Sequence, residues 1–130
     1  MPGKPFSAFA RFAVGLIDLI TDLNNRRRVR AQARECRKSG ATNGMIDHSL
    51  SIVCEIARQV SDDDPSPQYL KTAAASRLES RLPGLDPATI LLLVQLIVLI
   101  YQALKAVGFL DQQGLASVSP ETINEHFGGL

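Results

Sequence analysis

One segment of the chain is apolar on every side if it is helical. Residues 87–107 read PATILLLVQLIVLIYQALKAV, and no charged residue lies between Asp86 and Lys105. Asp86 followed by Pro87 is typical of a helix start, with an aspartate at the N-cap and a proline in the first helical position. A helix of this composition is buried on all sides, either by protein or by lipid.

Length and composition fit both environments. About 20 helical residues span about 30 Å, which is enough to cross the hydrocarbon core of a bilayer. Gln95 and Gln102 lie seven residues apart on one face; in lipid they need partners on another helix, whereas in an oligomeric bundle such a polar seam fixes the register. We favour a protein core or interface and keep a membrane span as the alternative. The predicted interface or membrane residues are Leu92, Leu93, Gln95, Leu96, Ile97, Ile100 and Gln102.

The N-terminal stretch 7–39 is predicted to be one long helix, or two helices with a break at Asn24 and Asn25. Its first half is amphipathic, because large apolar residues recur three or four positions apart. Arg11 and Asp18 interrupt the apolar residues, so we expect no signal peptide. The apolar residues that define the stripe are Phe9, Phe12, Leu16, Ile20 and Leu23.

The second half of this helix is strongly basic. Between Asn24 and Ser39, seven positive charges stand against Glu35 alone, a formal charge of +6. The whole chain carries +1, so the remaining residues carry −5 and the molecule is polarised despite its neutral total. Gly40 follows where a C-cap glycine is expected.

At 100° per residue, four of the basic residues continue the face that is apolar in the first half. They are Arg26, Arg30, Arg34 and Arg37. If this face were buried in the same core along both halves of the helix, the guanidinium groups would be buried without partners, which is costly. The basic half is therefore predicted to project from the core or to contact an anionic surface. An acidic surface of the same or a neighbouring chain, a nucleic-acid backbone and an anionic membrane all remain open. Val29, Ala33 and Cys36 form a second stripe that can pack on the body. The predicted contact residues are Arg26, Arg27, Arg30, Arg34, Arg37 and Lys38.

The rest of the chain also favours helices. Hydrophobic residues make up 45% of the 130 residues but aromatic residues only 5%, so the apolar share is mainly aliphatic. Helices are predicted over 45–61 and 67–82, and the polar tail 111–130 contains a short helix that begins near Ser119. We therefore predict an all-α fold of four to five helices in a single domain, 1–130.

Sequence motifs for catalysis or metal binding are weak. Asp47, His48 and Ser49 are the three residue types of a hydrolase catalytic triad. Consecutive residues of a helix point about 100° apart, however, so these side chains cannot form the hydrogen-bonded chain that a triad needs. Cys36 and Cys54 lack a CxxC spacing, so we expect no metal site. We also expect no cofactor, and the sequence identifies no small-molecule substrate. Free thiols suit a reducing compartment, and a disulfide between the two is the alternative.

These observations predict a non-enzymatic, multi-copy structural or assembly protein whose basic helix contacts an anionic surface. It forms a homo-oligomer or a larger protein assembly, and a virion component, such as a phage internal or capsid-associated protein, fits the small size. The alternative is a small membrane protein in which 87–107 spans the bilayer and the arginines contact acidic lipids. A weaker alternative is a helical DNA-packaging or regulatory protein.

Overall fold

The computed structural model describes the backbone of residues 3–60, 65–110 and 118–130, and it describes the side chains of these residues except 3–15 and 17–19. Within these ranges the fold is all-α, as predicted. Five helices lie entirely within these ranges: α1 (Gly3–Lys38), α2 (Asn43–Gln59), α3 (Pro67–Arg81), α4 (Pro87–Ala106) and α5 (Pro120–His126).

Helix α1 is continuous through Asn24 and Asn25, which selects one long helix over two. Asparagine in a helix interior costs less than about 0.7 kcal/mol relative to alanine, which is too little to break a long helix by itself. The observed helix also begins earlier than predicted, at Gly3 rather than Ser7. The other helices differ from the predicted bounds by one or two residues, the scale on which helix ends fray.

Local signals at the helix ends are largely confirmed. Gly40 has φ +104°, and the N–H of Ala41 donates to the oxygen of Cys36 at 3.0 Å, which closes α1 as a glycine-terminated helix. The Ser66 hydroxyl accepts from the N–H of Tyr69 at the start of α3. Asp86 is the N-cap of α4 as predicted, but its side chain makes no capping hydrogen bond.

Helix α4 lies at the centre of the fold. Helices α1, α2 and α3 all pack on it, and α5 packs on α2. The predicted second stripe of α1, Val29, Ala33 and Cys36, is buried against the core at 1%, 1% and 0% exposure. One face of the basic half of α1 is therefore part of the core.

Helix α1 runs antiparallel to α4. The Ser39 and Thr89 hydroxyls are 3.0 Å apart near the start of α4, and Gln32 Nε2 donates to the oxygen of Leu92 at 3.0 Å. Asn25 borders Ala106, the last residue of α4. Residues 3–23, which we call the arm, therefore continue past the C-terminal end of α4 for about 30 Å.

Candidate interaction surfaces

Four of the six predicted basic contact residues bond within the chain. Arg30 Nε donates to the backbone oxygen of Phe127 at 2.7 Å, and Arg37 Nη2 donates to Asn43 Oδ1 at 3.0 Å. The other two are ion pairs along α1: Arg26 with Asp22, and Lys38 with Glu35, both at 3.1 Å.

Arg27 and Arg34, the remaining two predicted residues, are exposed, and so is their neighbour Arg28. We call these three residues the basic row. Within the part of the chain that the structure describes, none of the three guanidinium groups makes an ion pair or a hydrogen bond. Arg27 and Arg34 lie seven residues apart and so share one face of α1.

A polar cluster joins α1 to α5. His126 Nε2 lies 3.9 Å from Asp22 Oδ1, and the His126 ring contacts Phe109 with centroids 5.0 Å apart. Burial, and then the positive charge of Arg26, lower the pKa of His126 below its ordinary value, and Asp22 opposes this effect. The contact of His126 with Asp22 is an ion pair only when the imidazole is protonated, and burial disfavours that state.

Three large apolar residues of α1 are exposed on one face. Leu16, Ile20 and Leu23 are 44%, 56% and 51% exposed. Their spacing of four and three residues places them on the face that the exposed Arg27 and Arg34 continue, so this face of α1 changes from apolar to cationic. Of the four arginines predicted to continue it, Arg34 is the one that makes no bond among the described residues. The side chains of Phe9 and Phe12 lie outside the described residues.

The residues predicted as an interface on α4 divide into two groups. Leu93, Leu96, Ile97 and Ile100 are fully buried within this chain, and Leu92 is half-buried. Gln95 and Gln102, in contrast, are exposed. Gln95 Oε1 accepts from Gln32 Nε2 at 3.2 Å, so one glutamine of the predicted polar seam bonds to α1 of its own chain.

Sequence reasoning missed the uncovered side of α4. Leu91, at 58% exposure, is the most exposed large apolar residue on this helix. It belongs to a row of residues along one helical face, which we call the α4 stripe. All members of the stripe are exposed except Leu99, which is half-buried. The spacing of the two glutamines was the only signal for this face. The α4 stripe consists of Leu91, Gln95, Leu99, Gln102 and Ala106.

Helix α4 is also the one helix in the described residues that is long and apolar enough to cross a membrane. Its 20 residues contain a window of mean hydropathy 2.1, and 56% of that window is buried inside the protein. A core helix of a water-soluble protein has the same length and composition.

The polar residues of α2 do not meet. Asp47 and His48 are exposed, whereas Ser49 is buried and its hydroxyl donates to the backbone oxygen of Met45 at 3.0 Å. These three residues therefore point to different sides of the helix, as their adjacency predicts.

Both cysteines are buried free thiols. Burial raises the pKa of Cys36 to about 11 and also raises the pKa of Cys54. Across the described ranges, no three His, Cys, Asp or Glu side chains are grouped in a way that would hold a metal ion.

Comparisons of the chain with protein-family models, with curated proteins and with solved structures found no match.

Proposed function

We propose that this chain is a non-enzymatic helical assembly protein that works in multiple copies. The observation that carries the proposal is the exposure of Leu16, Ile20 and Leu23 on the arm. Fully burying one leucine or isoleucine side chain contributes about 1.5–3 kcal/mol, so covering this row favours association. A row at this helical spacing is typical of a helix that packs against another helix.

The basic row supports the second part of the proposal, contact with an anionic surface. Arg27, Arg28 and Arg34 are exposed, and the opposite side of the same helix is held in the core. A helix fixed in this way presents its guanidinium groups at set positions, which favours bonds to phosphate or carboxylate oxygens. A virion component, internal or capsid-associated, is the setting that we propose for such a protein.

Sedimentation velocity over a range of concentrations tests the assembly. The wild-type chain should sediment as a multimer, and Ile20→Asp should dissociate it, because a carboxylate cannot be buried unpaired without a large cost. Tyr69→Asp is the matched control, since Tyr69 is 49% exposed on α3 and lies outside the arm. A wild-type chain that sediments as a monomer at every concentration contradicts the proposal.

Charge-matched variants test the anionic contact. Arg27→Gln/Arg34→Gln removes two charges from the basic row, and Lys71→Gln/Lys105→Gln removes two charges elsewhere. We expect the first variant, and not the second, to lose binding to duplex DNA or to vesicles containing phosphatidylserine. DNA binding through these arginines should fall steeply between about 50 and about 200 mM salt. Equal behaviour of the two variants with both probes contradicts the anionic contact.

Membrane insertion through α4 is the second candidate, and the observation that favours it is the mean hydropathy of 2.1 over a 20-residue helix. Insertion requires α1, α2 and α3 to separate from α4, because all three pack on it. Under this candidate the chain should float with vesicles and resist carbonate extraction. Recovery in the soluble fraction after extraction contradicts it.

A further inference from the structure

The α4 stripe forms the floor of a furrow between two helices. On the α1 side, Arg28 borders a depression of about 200 Å³ that Leu99 also lines. On the α3 side, Ala75 and Leu91 line a second depression of about 470 Å³. Since α2 also packs on α4, the stripe is the side of the central helix that the other described helices leave uncovered.

The furrow has the dimensions of a helix. From Leu91 to Ala106 the stripe is about 23 Å long, and the 21 residues of the arm make a helix of about 30 Å. Packed helices lie about 8–10 Å apart, so a helix placed on the stripe contacts α4 and is flanked by α1 and α3. It would cover the exposed side of α4, the most apolar of the described helices.

We propose that the arm of a second copy of this chain lies in the furrow, with Leu16, Ile20 and Leu23 packed on the α4 stripe. This proposal rests on the proposed function, and it identifies the two surfaces that meet. Both surfaces carry apolar side chains that the described part of the chain leaves uncovered. The arm has its exposed row, and the stripe has exposed Leu91 and half-buried Leu99.

The arm cannot reach the furrow of its own chain. Helix α1 is continuous from Gly3 to Lys38, and its second half already runs antiparallel along α4. Folding the arm back onto α4 would require a break in that helix. A second copy is therefore the source of a helix that both fits the furrow and carries an exposed apolar row.

Each copy has one arm and one furrow. Reciprocal exchange between two copies closes a symmetric dimer of about 28 kDa, in which both arms and both furrows are occupied. The two chains then associate through the same contacts that cover the exposed side of α4.

Paired cysteine variants test the contact in the full chain. Ile20→Cys is mixed with Gln95→Cys or with Gln102→Cys, and a short bismaleimide joins thiols that lie close together. The control partner is Glu79→Cys, an exposed position on α3 that borders the furrow at the end near Pro87 without belonging to the α4 stripe. The native thiols do not interfere, since Cys36 and Cys54 are 0% and 2% exposed.

We expect Ile20→Cys to cross-link with at least one glutamine-derived cysteine at least about tenfold more than with the control. Leu91→Asp should weaken the assembly, raising the concentration at which it dissociates at least about tenfold, as loss of a well-packed apolar interface contact does. Circular dichroism of Leu91→Asp confirms that the helices remain folded.

Three results overturn this inference, and they separate it from the proposed function. If Ile20→Cys cross-links mainly to itself in a chain that still assembles, the arms pair with each other. The proposed assembly then holds, but the placement of the arm in the furrow is wrong. If the wild-type chain is a monomer that binds vesicles through the arm, lipid covers the arm. This result contradicts both the proposed assembly and the furrow contact. A wild-type monomer that binds neither a second copy nor vesicles also contradicts both the proposed assembly and the furrow contact.

Discussion

Arg30 of α1 donates from Nε to the backbone oxygen of Phe127 at 2.7 Å, across 97 positions of sequence. The bond joins the middle of the long helix to the C-terminal end of α5, where carbonyl oxygens lack partners within the helix. Arg30 is thus one of four cations of the basic segment that bond within the chain. Exposed Arg34, four residues along α1, has no such bond in the described chain.

Arg30→Gln should lower the free energy of unfolding by about 1 kcal/mol or more, because a charge-assisted hydrogen bond to a helix end is lost. Arg34→Gln removes the same charge without a described partner and should change stability by less than about 0.5 kcal/mol. Urea unfolding followed by circular dichroism measures both. Equal losses would contradict a structural role for Arg30.

The close approach of Arg30 to Gly128 predicts a second pair of variants. A Cβ added at Gly128 would lie 2.7 Å from Arg30 Nη2, whereas one added at Gly129 meets nothing within 4 Å. Both glycines have positive φ, so alanine is strained at either position. We expect Gly128→Ala to lower the melting temperature more than Gly129→Ala. The same shift for both would show that the contact with Arg30 is unimportant.

Stability should depend on the protonation of His126. Burial lowers its pKa in the folded chain below the ordinary 6.5, so the unfolded chain binds a proton at a pH at which the folded chain does not. Stability is therefore fully present above pH 6.5 and falls as the pH drops from there toward the lower pKa of the folded state. The drop in unfolding free energy from about pH 7.5 to about pH 5.5 should be larger for the wild type than for His126→Gln. Identical pH profiles would rule out this contribution.

The two thiols should react slowly in the folded protein. A rise in the pKa of Cys36 from 9.0 to about 11 lowers its thiolate fraction near neutral pH about a hundredfold, and burial blocks access as well. Ellman's reagent should therefore label the native chain slowly and label both cysteines at once in urea. Rapid labelling of the native chain would show that the core around Cys36 opens easily.

Substitutions on α4 distinguish its buried side from the stripe. Leu96 is fully buried, so Leu96→Ala should lower the free energy of unfolding by about 2–5 kcal/mol. Leu91 is 58% exposed, and Leu91→Ala should cost less than about 1 kcal/mol. Both variants are measured by urea unfolding in an Ile20→Asp background, so that assembly does not contribute. Equal costs would contradict the described orientation of α4.

The sequence predicted the features that depend on local chemistry. The all-α class, the C-cap at Gly40 and the packing stripe through Val29 follow from helical spacing and capping residues, and the structure confirms them. The orientation of α4 had only one signal in the sequence, the spacing of Gln95 and Gln102, because a helix that is otherwise apolar all round has no distinct buried face. The partner of Arg30 was equally hidden, since Phe127 is brought close only by the tertiary fold.

The mass of the wild-type chain in detergent-free buffer is the most direct test of self-assembly around a buried α4. Size-exclusion chromatography with light scattering should give one soluble species of about 28 kDa or a larger multiple of 14.1 kDa. A soluble monomer, or recovery only in detergent or vesicles, would contradict self-assembly through the arm.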